Sequence, residues 1–280
     1  MNADKISDNV SAFTTKPTAS IVFITPETAA RWLGVNTHNR NIREADVRNY
    51  ARDMANGGWQ MTGEAIKFAA DGTLLDGQHR LLAIIRSECT VAMYVMRGIP
   101  TASQRVMDTG RKRTASDALS IGKEASPSQL ASMIKLALGV ESGIADPGHY
   151  QATHSEIEDY LCAHPDLREA VSLSHVCARR TDCPPSVVAY TYWRMARLSP
   201  GDAAEFWTAA AEKVGLRPKD PVLALTNRLA EARRNRESLS KRILLSLVFR
   251  AWNARREGKT MTFIRVNSPT GGLVPVPELR

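Results

Sequence analysis

The sequence predicts an α+β fold, in which a small mixed α/β domain precedes a mainly helical domain. Short apolar runs bounded by turn residues alternate with helical periodicities as far as residue 98, and the patterns beyond residue 100 are helical. Of the 280 residues, 43% are hydrophobic and 24% charged, which excludes disorder over most of the chain. We expect a flexible lead-in over residues 1–20, an α/β domain over 21–115 and a helical domain over 116–280.

The elements of the N-terminal domain follow in order. A short strand at Ile21–Ile24 leads to a helix that Thr25 caps and Pro26 begins. A second helix is expected over Ile42–Asn56, because apolar residues recur there at helical spacing before Gly57-Gly58. The remaining elements are a strand at Ala65–Ala69, a hairpin turn at Asp71-Gly72, a return strand at Leu74–Leu75, a helix at Leu81–Ser87 and a last strand at Val91–Met96.

The C-terminal domain is predicted from a series of helix start signals. These are a Ser before Pro at Ser126-Pro127, capping boxes at Thr153 with Glu156 and at Asp202 with Glu205, and an Asp before Pro at Asp220-Pro221. Apolar residues from Ile243 to Trp252 form one face of a last helix, with Arg on its other faces. Residues 260–280 are expected to be strand or coil.

Several classes of protein are excluded by what the chain lacks. No apolar run approaches the ~20 residues needed to cross a bilayer, and the first 20 residues lack the apolar core of a secretion signal. Four cysteines are too few for a disulfide framework, so a reducing cytoplasm is the expected location and no membrane partner is expected. Cys162, His164, His175, Cys177 and Cys183 lie close together in sequence. Their spacings differ from those of structural zinc sites, so no metal site is assigned.

The most informative segment is Asp76-Gly77-Gln78-His79-Arg80, between a hairpin strand and a helix. Such a turn presents backbone N–H groups and a helix N-terminus, which together suit a phosphate. Gly77 allows close approach, Arg80 can bind phosphate oxygens, and His79 can transfer a proton near neutral pH. Asp76 could hold a metal ion, orient His79 or cap the helix. The alternative is that Asp76 is a helix cap and that His79 and Arg80 lie on the surface.

The segment resembles the ParB/sulfiredoxin superfamily over roughly residues 20–98. The resemblance depends on Asn39-Arg40 before a helix, the hairpin at Asp71-Gly72, and Gly77-Gln78-His79-Arg80 leading into a helix. Gly77, Arg80 and Ala83 fit the G-x-x-R-x-x-A pattern of ParB-type domains, and His79-Arg80 fit the sulfiredoxin and free-serine-kinase branches. Similar turns occur in phage and mobile-element proteins, so such an origin is expected.

The resemblance implies a set of phosphate- or nucleotide-binding residues, namely Gly77, Gln78, His79, Arg80, Asn39 and Arg40. Gln78 stands where sulfiredoxin has its nucleophilic Cys, and an amide is no nucleophile, so that chemistry is not expected. The free-serine-kinase branch uses a carboxylate base, for which Glu64 is a candidate, although a solvated loop residue is the alternative. The second nucleotide motif and the helix-turn-helix of ParB partition proteins are not recognisable, which argues against a CTP-gated clamp.

The positive charge is confined to one stretch. The chain has a formal net charge of +8, and residues 217–259 hold 12 Lys and Arg against 4 Asp and Glu. This stretch is therefore the best candidate for contact with a nucleic-acid backbone, although a solvated basic face is the alternative. The candidate contacts are Arg233, Arg234, Arg236, Lys241 and Arg242, together with a second basic turn at Arg111, Lys112 and Arg113.

Three functions follow from these observations. The first is a DNA-associated protein with a ParB-like domain that binds nucleotide or nucleic-acid phosphate and a basic helical region that contacts nucleic acid. The second is a phosphotransferase, NTPase or nuclease, with His79, Asp76 and Glu64 as catalytic residues. The third is a non-catalytic regulatory or interaction protein in which the turn is a scaffold. A nucleoside triphosphate with Mg²⁺ is the candidate cofactor, and a homo-oligomer is compatible with all three.

Overall fold

The computed structural model describes residues 16–35, 41–101, 103, 107, 115–266 and 272–280. The chain divides into two compact units, residues 1–112 and 113–280. A small sheet lies in the first unit and helices dominate the second, so the fold is α+β at the level of its elements. Within the described ranges, no helix has both the length and the apolar character needed to cross a lipid bilayer.

The N-terminal unit contains a four-stranded mixed sheet of order β1-β4-β2-β3. Strand β1 pairs with β4 and strand β2 with β3, both antiparallel, while β2 and β4 are parallel. The elements are β1 (Thr18–Ile24), α1 (Pro26–Leu33), α2 (Glu44–Ala55), β2 (Ile66–Ala69), β3 (Leu74–Asp76), α3 (Gln78–Ser87) and β4 (Val91–Ile99). Helix α3 packs against α1 and α2 and makes the crossover that the parallel pair requires.

Local sequence explains most boundaries in this unit. The Thr28 N–H donates to Thr25 Oγ1 at 3.2 Å, which confirms the predicted cap, and Pro26 begins α1. The hairpin is confirmed as well, because β2 and β3 pair antiparallel on either side of it, and the Thr73 N–H donates to Asp71 Oδ1 at 2.9 Å within the turn. Helix α3 begins at Gln78, three residues before the predicted start, so the phosphate-type turn forms the first turn of that helix.

The C-terminal unit is helical throughout its regular structure. Its elements are α4 (Ala115–Ile121), α5 (Pro127–Glu141), a 3₁₀ turn (Pro147–His149), α6 (His154–Ala163), α7 (Leu167–Thr181), α8 (Pro185–Ala196), α9 (Pro200–Glu212), α10 (Pro221–Arg234) and α11 (Lys241–Arg256). Phe206 lies at the centre of the core, with its ring edge-on to Trp207 and Trp252 at centroid distances of 5.6 and 5.7 Å. Large apolar and aromatic side chains therefore hold these helices together.

Two of the helix caps predicted in the C-terminal unit are confirmed. The Glu156 N–H donates to Thr153 Oγ1 at 3.2 Å, and the Thr153 N–H donates to Glu156 Oε2 at 2.7 Å, which completes the capping box. Asp220 also caps its helix, because its Oδ1 accepts the Val222 N–H at 2.8 Å. These caps satisfy N–H groups that the first helical turn leaves without a partner.

Two other cap predictions are wrong. Ser126 has a φ of 54°, and its hydroxyl hydrogen-bonds His175 Nε2 at 3.0 Å instead of a backbone N–H of α5. Asp202 lies inside the first turn of α9, because Pro200 begins that helix two residues earlier. At this position its carboxylate complements the helix dipole but cannot cap the chain.

The C-terminal segment lies along α11 without regular secondary structure in its described residues, 260–266 and 272–280. Ser246 Oγ donates to the Pro275 carbonyl oxygen at 2.9 Å, and Trp252 Nε1 donates to that of Arg280 at 3.1 Å. The Asn253 amide also donates to the Glu278 carbonyl oxygen at 2.7 Å. Polar side chains of α11 thus hold the segment through its backbone.

Candidate functional site

The phosphate-type turn is built around a glycine in a conformation that other residues rarely adopt. Gly77 follows β3 with a φ of 109°, and the Leu81 N–H donates to its carbonyl oxygen at 3.0 Å to begin α3. A Cβ at this position would lie 2.5 Å from Ile66 Cδ1 on the neighbouring strand. Glycine is therefore required here both by the backbone angle and by the packing of β2 against the turn.

Arg80 is held by the protein rather than presented to solvent. Its Nη1 donates to the Glu64 carbonyl oxygen at 2.8 Å, and its Nη2 donates to the Ala65 carbonyl oxygen at 3.1 Å. Nη2 also donates to Asp76 Oδ2 at 3.3 Å, and the side chain is only 12% exposed. Because these acceptors lie at the entrance to β2 and at the end of β3, Arg80 joins both strands to α3.

Asp76 has a second basic partner that the sequence analysis missed. Lys67 Nζ donates to Asp76 Oδ2 at 3.0 Å, and both side chains are largely buried. The two residues are directly opposite each other in the β2–β3 pair, so the hairpin register contained the signal for this contact. Because Lys67 and Arg80 both bind the Asp76 carboxylate, they neutralise its negative charge, and it is then a weaker ligand for a metal ion.

His79 serves as a hydrogen-bond acceptor. The Arg43 N–H donates to His79 Nε2 at 2.9 Å, and the His79 residue is 7% exposed. Nε2 must carry a lone pair to accept this bond, so the proton of the neutral ring lies on Nδ1. The same lone pair would be needed by a general base that acts through Nε2. Arg43 makes this contact through its backbone, which explains why no sequence pattern indicated it.

Within the turn, the structure joins Arg80 to Asp76, while the His79 ring accepts from the Arg43 backbone and Gln78 is buried. Glu64 contributes its carbonyl oxygen to Arg80, while the residue itself is exposed. Asn39 and Arg40 lie outside the described residues, as do Arg111, Lys112 and Arg113. The described parts of the chain contain no group of three or more His, Cys, Asp or Glu side chains arranged for a metal ion.

Three of the five basic candidates in the C-terminal unit are used inside the unit. Arg233 forms an ion pair with Asp182. Arg242 donates to the carbonyl oxygens of Ile144, Ala145 and Val274. The three carbonyl acceptors give the Arg242 guanidinium a structural role, whereas the Arg233 side chain stays 74% exposed beside its acidic partner.

Lys241 is the third candidate with internal contacts. Its side chain is half-buried, and Nζ lies 3.4 Å from Ser186 Oγ. Burial lowers the pKa of this ammonium group, because the charged form loses hydration. Lys241 is therefore poorly placed to bind a phosphate in solvent.

Arg234 and Arg236 remain available at the end of α10. Both are exposed, and neither has an acidic side chain within ion-pair distance among the described residues. The ion pair between Arg233 and Asp182 brings the last turn of α7 beside that of α10, and α7 carries Arg179 and Arg180 at this end. We call the four exposed residues Arg179, Arg180, Arg234 and Arg236 the basic end.

Most other cations of residues 217–259 have acidic partners. These pairs join Arg228 to Glu237, Arg255 to Asp220 and Glu205, Arg256 to Asp202, and Lys259 to Glu257. Asp202 and Glu205 lie outside the basic stretch, so acids from elsewhere in the chain neutralise part of it. The formal charge of this stretch overstates the charge it offers to a ligand.

Comparison of the chain with protein-family models, curated proteins and solved structures found no match in any of the three. A functional inference for this protein therefore depends on the geometry of its own residues. Fold by itself would not supply one, because unrelated functions share folds.

Proposed function

We propose that this protein binds nucleic acid through its C-terminal unit, with the basic end contacting the phosphate backbone. The observation that supports this is the exposure of Arg234 and Arg236 without an acidic partner among the described residues. Guanidinium groups bind phosphate oxygens in pairs of hydrogen bonds, and adjacent ones follow a chain of phosphates. Arg179 and Arg180 extend the same surface from α7.

A purely structural role would also place arginines at this position. All four lie in or just after the last turn of a helix, where the helix dipole favours positive charge. That role predicts a modest effect on stability and no affinity for a polyanion. The two roles are therefore separated by measuring binding.

The experiment is a titration of fluorescently labelled DNA and RNA, as duplexes and single strands, followed by anisotropy at about 50 and about 200 mM salt. We expect affinity to fall by at least about tenfold over this range, since phosphate contacts release counterions. Reversal of charge in Arg234→Glu with Arg236→Glu should weaken binding by about tenfold or more at low salt. Equal binding at both salt concentrations would exclude this function.

A matched control is available in the same unit. Lys123 and Arg197 are exposed at helix ends, near the start of α7 rather than its end. Glu124, next to Lys123, pairs with Arg168 in the first turn of α7, and Arg197 packs on Trp193, whose indole donates to Asp166 just before that helix. The pair Lys123→Glu with Arg197→Glu changes net charge by the same amount away from the basic end. If this control weakened binding as much as the arginine pair, the effect would come from net charge rather than from the proposed surface.

The contacts in the N-terminal unit favour the scaffold hypothesis for the turn over the catalytic one. A phosphate bound by Arg80 would compete with the carbonyl oxygens of Glu64 and Ala65 and with Asp76. His79 Nε2 is likewise engaged by Arg43. We infer that the turn holds β2, β3 and α3 together and supports the unit. A thermal-shift panel of ATP, CTP and GTP with Mg²⁺ tests this, because a bound nucleotide would raise the melting temperature.

A further inference from the structure

A groove of about 450 Å³ lies in the C-terminal unit, between the end of α11 and the segment that follows it. Four basic side chains and one acidic side chain line it, together with an aromatic ring. These residues are Arg250, Glu257, Lys259, Phe263, Arg265 and Arg280. The groove is distinct from the basic end, because α11 begins at Lys241 beside that end and the groove lies at its other terminus.

The electrostatics of the groove favour an anion. Glu257 accepts from Lys259 Nζ at 2.5 Å and from Arg280 Nη1 at 2.9 Å, and these partners lower the pKa of its carboxyl group. Arg250 donates to the Ser246 hydroxyl at 3.2 Å, and no described acid pairs with Arg250 or Arg265. Two guanidinium groups are thus left to bind phosphate oxygens after the acid has been neutralised.

The aromatic ring of the groove is largely exposed. Phe263 is 66% exposed, although large apolar side chains are normally buried. The guanidinium group of Arg265 lies 4.8 Å from the centroid of the Phe263 ring, so the two side chains form a cation–π contact. A flat aromatic partner could cover the exposed ring surface by stacking.

We propose that this groove binds an unpaired base with its flanking phosphates, so that the protein engages single-stranded nucleic acid there. The base stacks on Phe263, while Arg250 and Arg265 contact the phosphates. The inference rests on the proposed function and extends it by naming the strandedness of the ligand. In a duplex the bases are stacked on one another and cannot reach a ring on the protein surface, whereas a single strand offers every base. An acidic peptide would satisfy the charges but would cover the ring only where it carries an aromatic or apolar side chain beside its acids, whereas every nucleotide carries both a phosphate and a flat base.

The test compares Phe263→Ala with Phe23→Ala, using a single-stranded oligonucleotide and a duplex of equal length. Phe23 is 73% exposed and lies in β1 of the other unit, so its variant controls for loss of a surface ring. We expect Phe263→Ala to weaken single-strand binding by roughly 5- to 150-fold and duplex binding little, as for the loss of one stacked base. Phe263→Tyr should retain the wild-type affinity.

Three results would overturn the inference. The first is an unchanged single-strand affinity in Phe263→Ala while Arg234→Glu with Arg236→Glu still weakens binding. It would show that the groove does not bind the strand, and it would leave the proposed function intact. An equal loss for single strands and duplexes would show that no base is stacked. Absence of binding by the wild-type protein to either ligand would remove the proposed function along with this inference. Circular-dichroism melting of each variant verifies that it is folded.

Discussion

The backbone N–H of Arg43 donates to Nε2 of His79 at 2.9 Å. This bond joins the residue before α2 to the first turn of α3, across 36 positions of sequence. A histidine that a motif would assign to proton transfer is here an acceptor that satisfies a backbone donor. Its burial has a structural reason, because an unsatisfied N–H away from water would cost free energy.

Replacing His79 by Ala should lower the free energy of unfolding of the N-terminal unit by about 1–3 kcal/mol, since the Arg43 N–H loses its acceptor. His79→Gln should lose less, because its amide oxygen can accept a hydrogen bond. Hydrogen exchange resolved to the N-terminal unit measures the difference. Nitrogen NMR of the ring should also find Nε2 without a proton. Exchange rates in His79→Ala equal to those of the wild type would contradict the structural role.

Gly77→Ala should destabilise the N-terminal unit by roughly 2–4 kcal/mol, since a strained φ is combined with a clash against Ile66 Cδ1. Gly72→Ala is the matched control. Gly72 has a φ of 87° with nothing within 4 Å of an added Cβ, so it reports strain alone, about 1 kcal/mol. Ile66→Val should recover part of the loss in the Gly77→Ala background. Equal losses at the two glycines would show that the clash is relieved without cost.

Asp76→Ala should cost about 1–3 kcal/mol of unfolding free energy, because Lys67 and Arg80 would remain largely buried without their shared acceptor. The comparison is Glu44→Ala, which removes the ion pair with Arg86. Both partners of that pair are about half exposed, so its loss should cost less than about 1 kcal/mol. Denaturant unfolding measures both values. If Asp76→Ala lowered the unfolding free energy no more than Glu44→Ala, the contacts of Asp76 would stabilise the protein no more than an exposed ion pair does.

The cysteines should differ in reactivity according to their burial. Burial raises the pKa of the Cys183 thiol to about 12, and it raises that of Cys177 as well, while Cys162 is exposed. Alkylation at about pH 8 should modify Cys162 first and Cys183 last, and mass spectrometry of the native protein measures this order. In denaturant the difference should vanish. Rapid labelling of native Cys183 would contradict its burial.

The raised pKa of Cys183 also makes the free energy of unfolding depend on pH. An unfolded Cys183 thiol loses its proton near pH 8.5, whereas the folded one keeps it to about pH 12. Its contribution to folding is therefore complete below about pH 8 and decreases as the pH rises further. A plot of unfolding free energy against pH should fall less steeply above about pH 9 in Cys183→Ala than in the wild type.

Local patterns predicted much of the architecture. The Thr25 cap, the hairpin at Asp71 and the capping box at Thr153 are formed by residues at most three positions apart, and all three are confirmed. The prediction for Ser126 was wrong because its hydroxyl bonds His175, 49 positions away. A helix cap can be predicted from sequence when its partner lies within a few positions. A side chain far along the chain that binds the capping hydroxyl instead cannot be predicted in this way.

The candidate sites divide in the same way. Sequence predicted the turn at Gly77 and showed where the positive charge is concentrated, since both are properties of neighbouring residues. It predicted neither Lys67 as a partner of Asp76 nor the groove at Phe263, although the hairpin register and the mixture of Phe and Arg in residues 263–265 offered signals for each. The resemblance of the turn to a nucleotide-binding superfamily remains a prediction.

Composition and local order were enough to specify where the glycine turn lies and where the positive charge is concentrated. Tertiary structure alone decided which of those charges have partners within the protein. Arg233 and Asp182 are 51 positions apart, and Arg242 and Ile144 are 98 apart, yet each pair is in contact. Such contacts depend on how whole helices pack, and no local pattern in the sequence specifies that packing. Arg234 and Arg236 lie close to Arg233 in sequence and are exposed as it is, but among the described residues they lack an acidic partner of the kind Arg233 has.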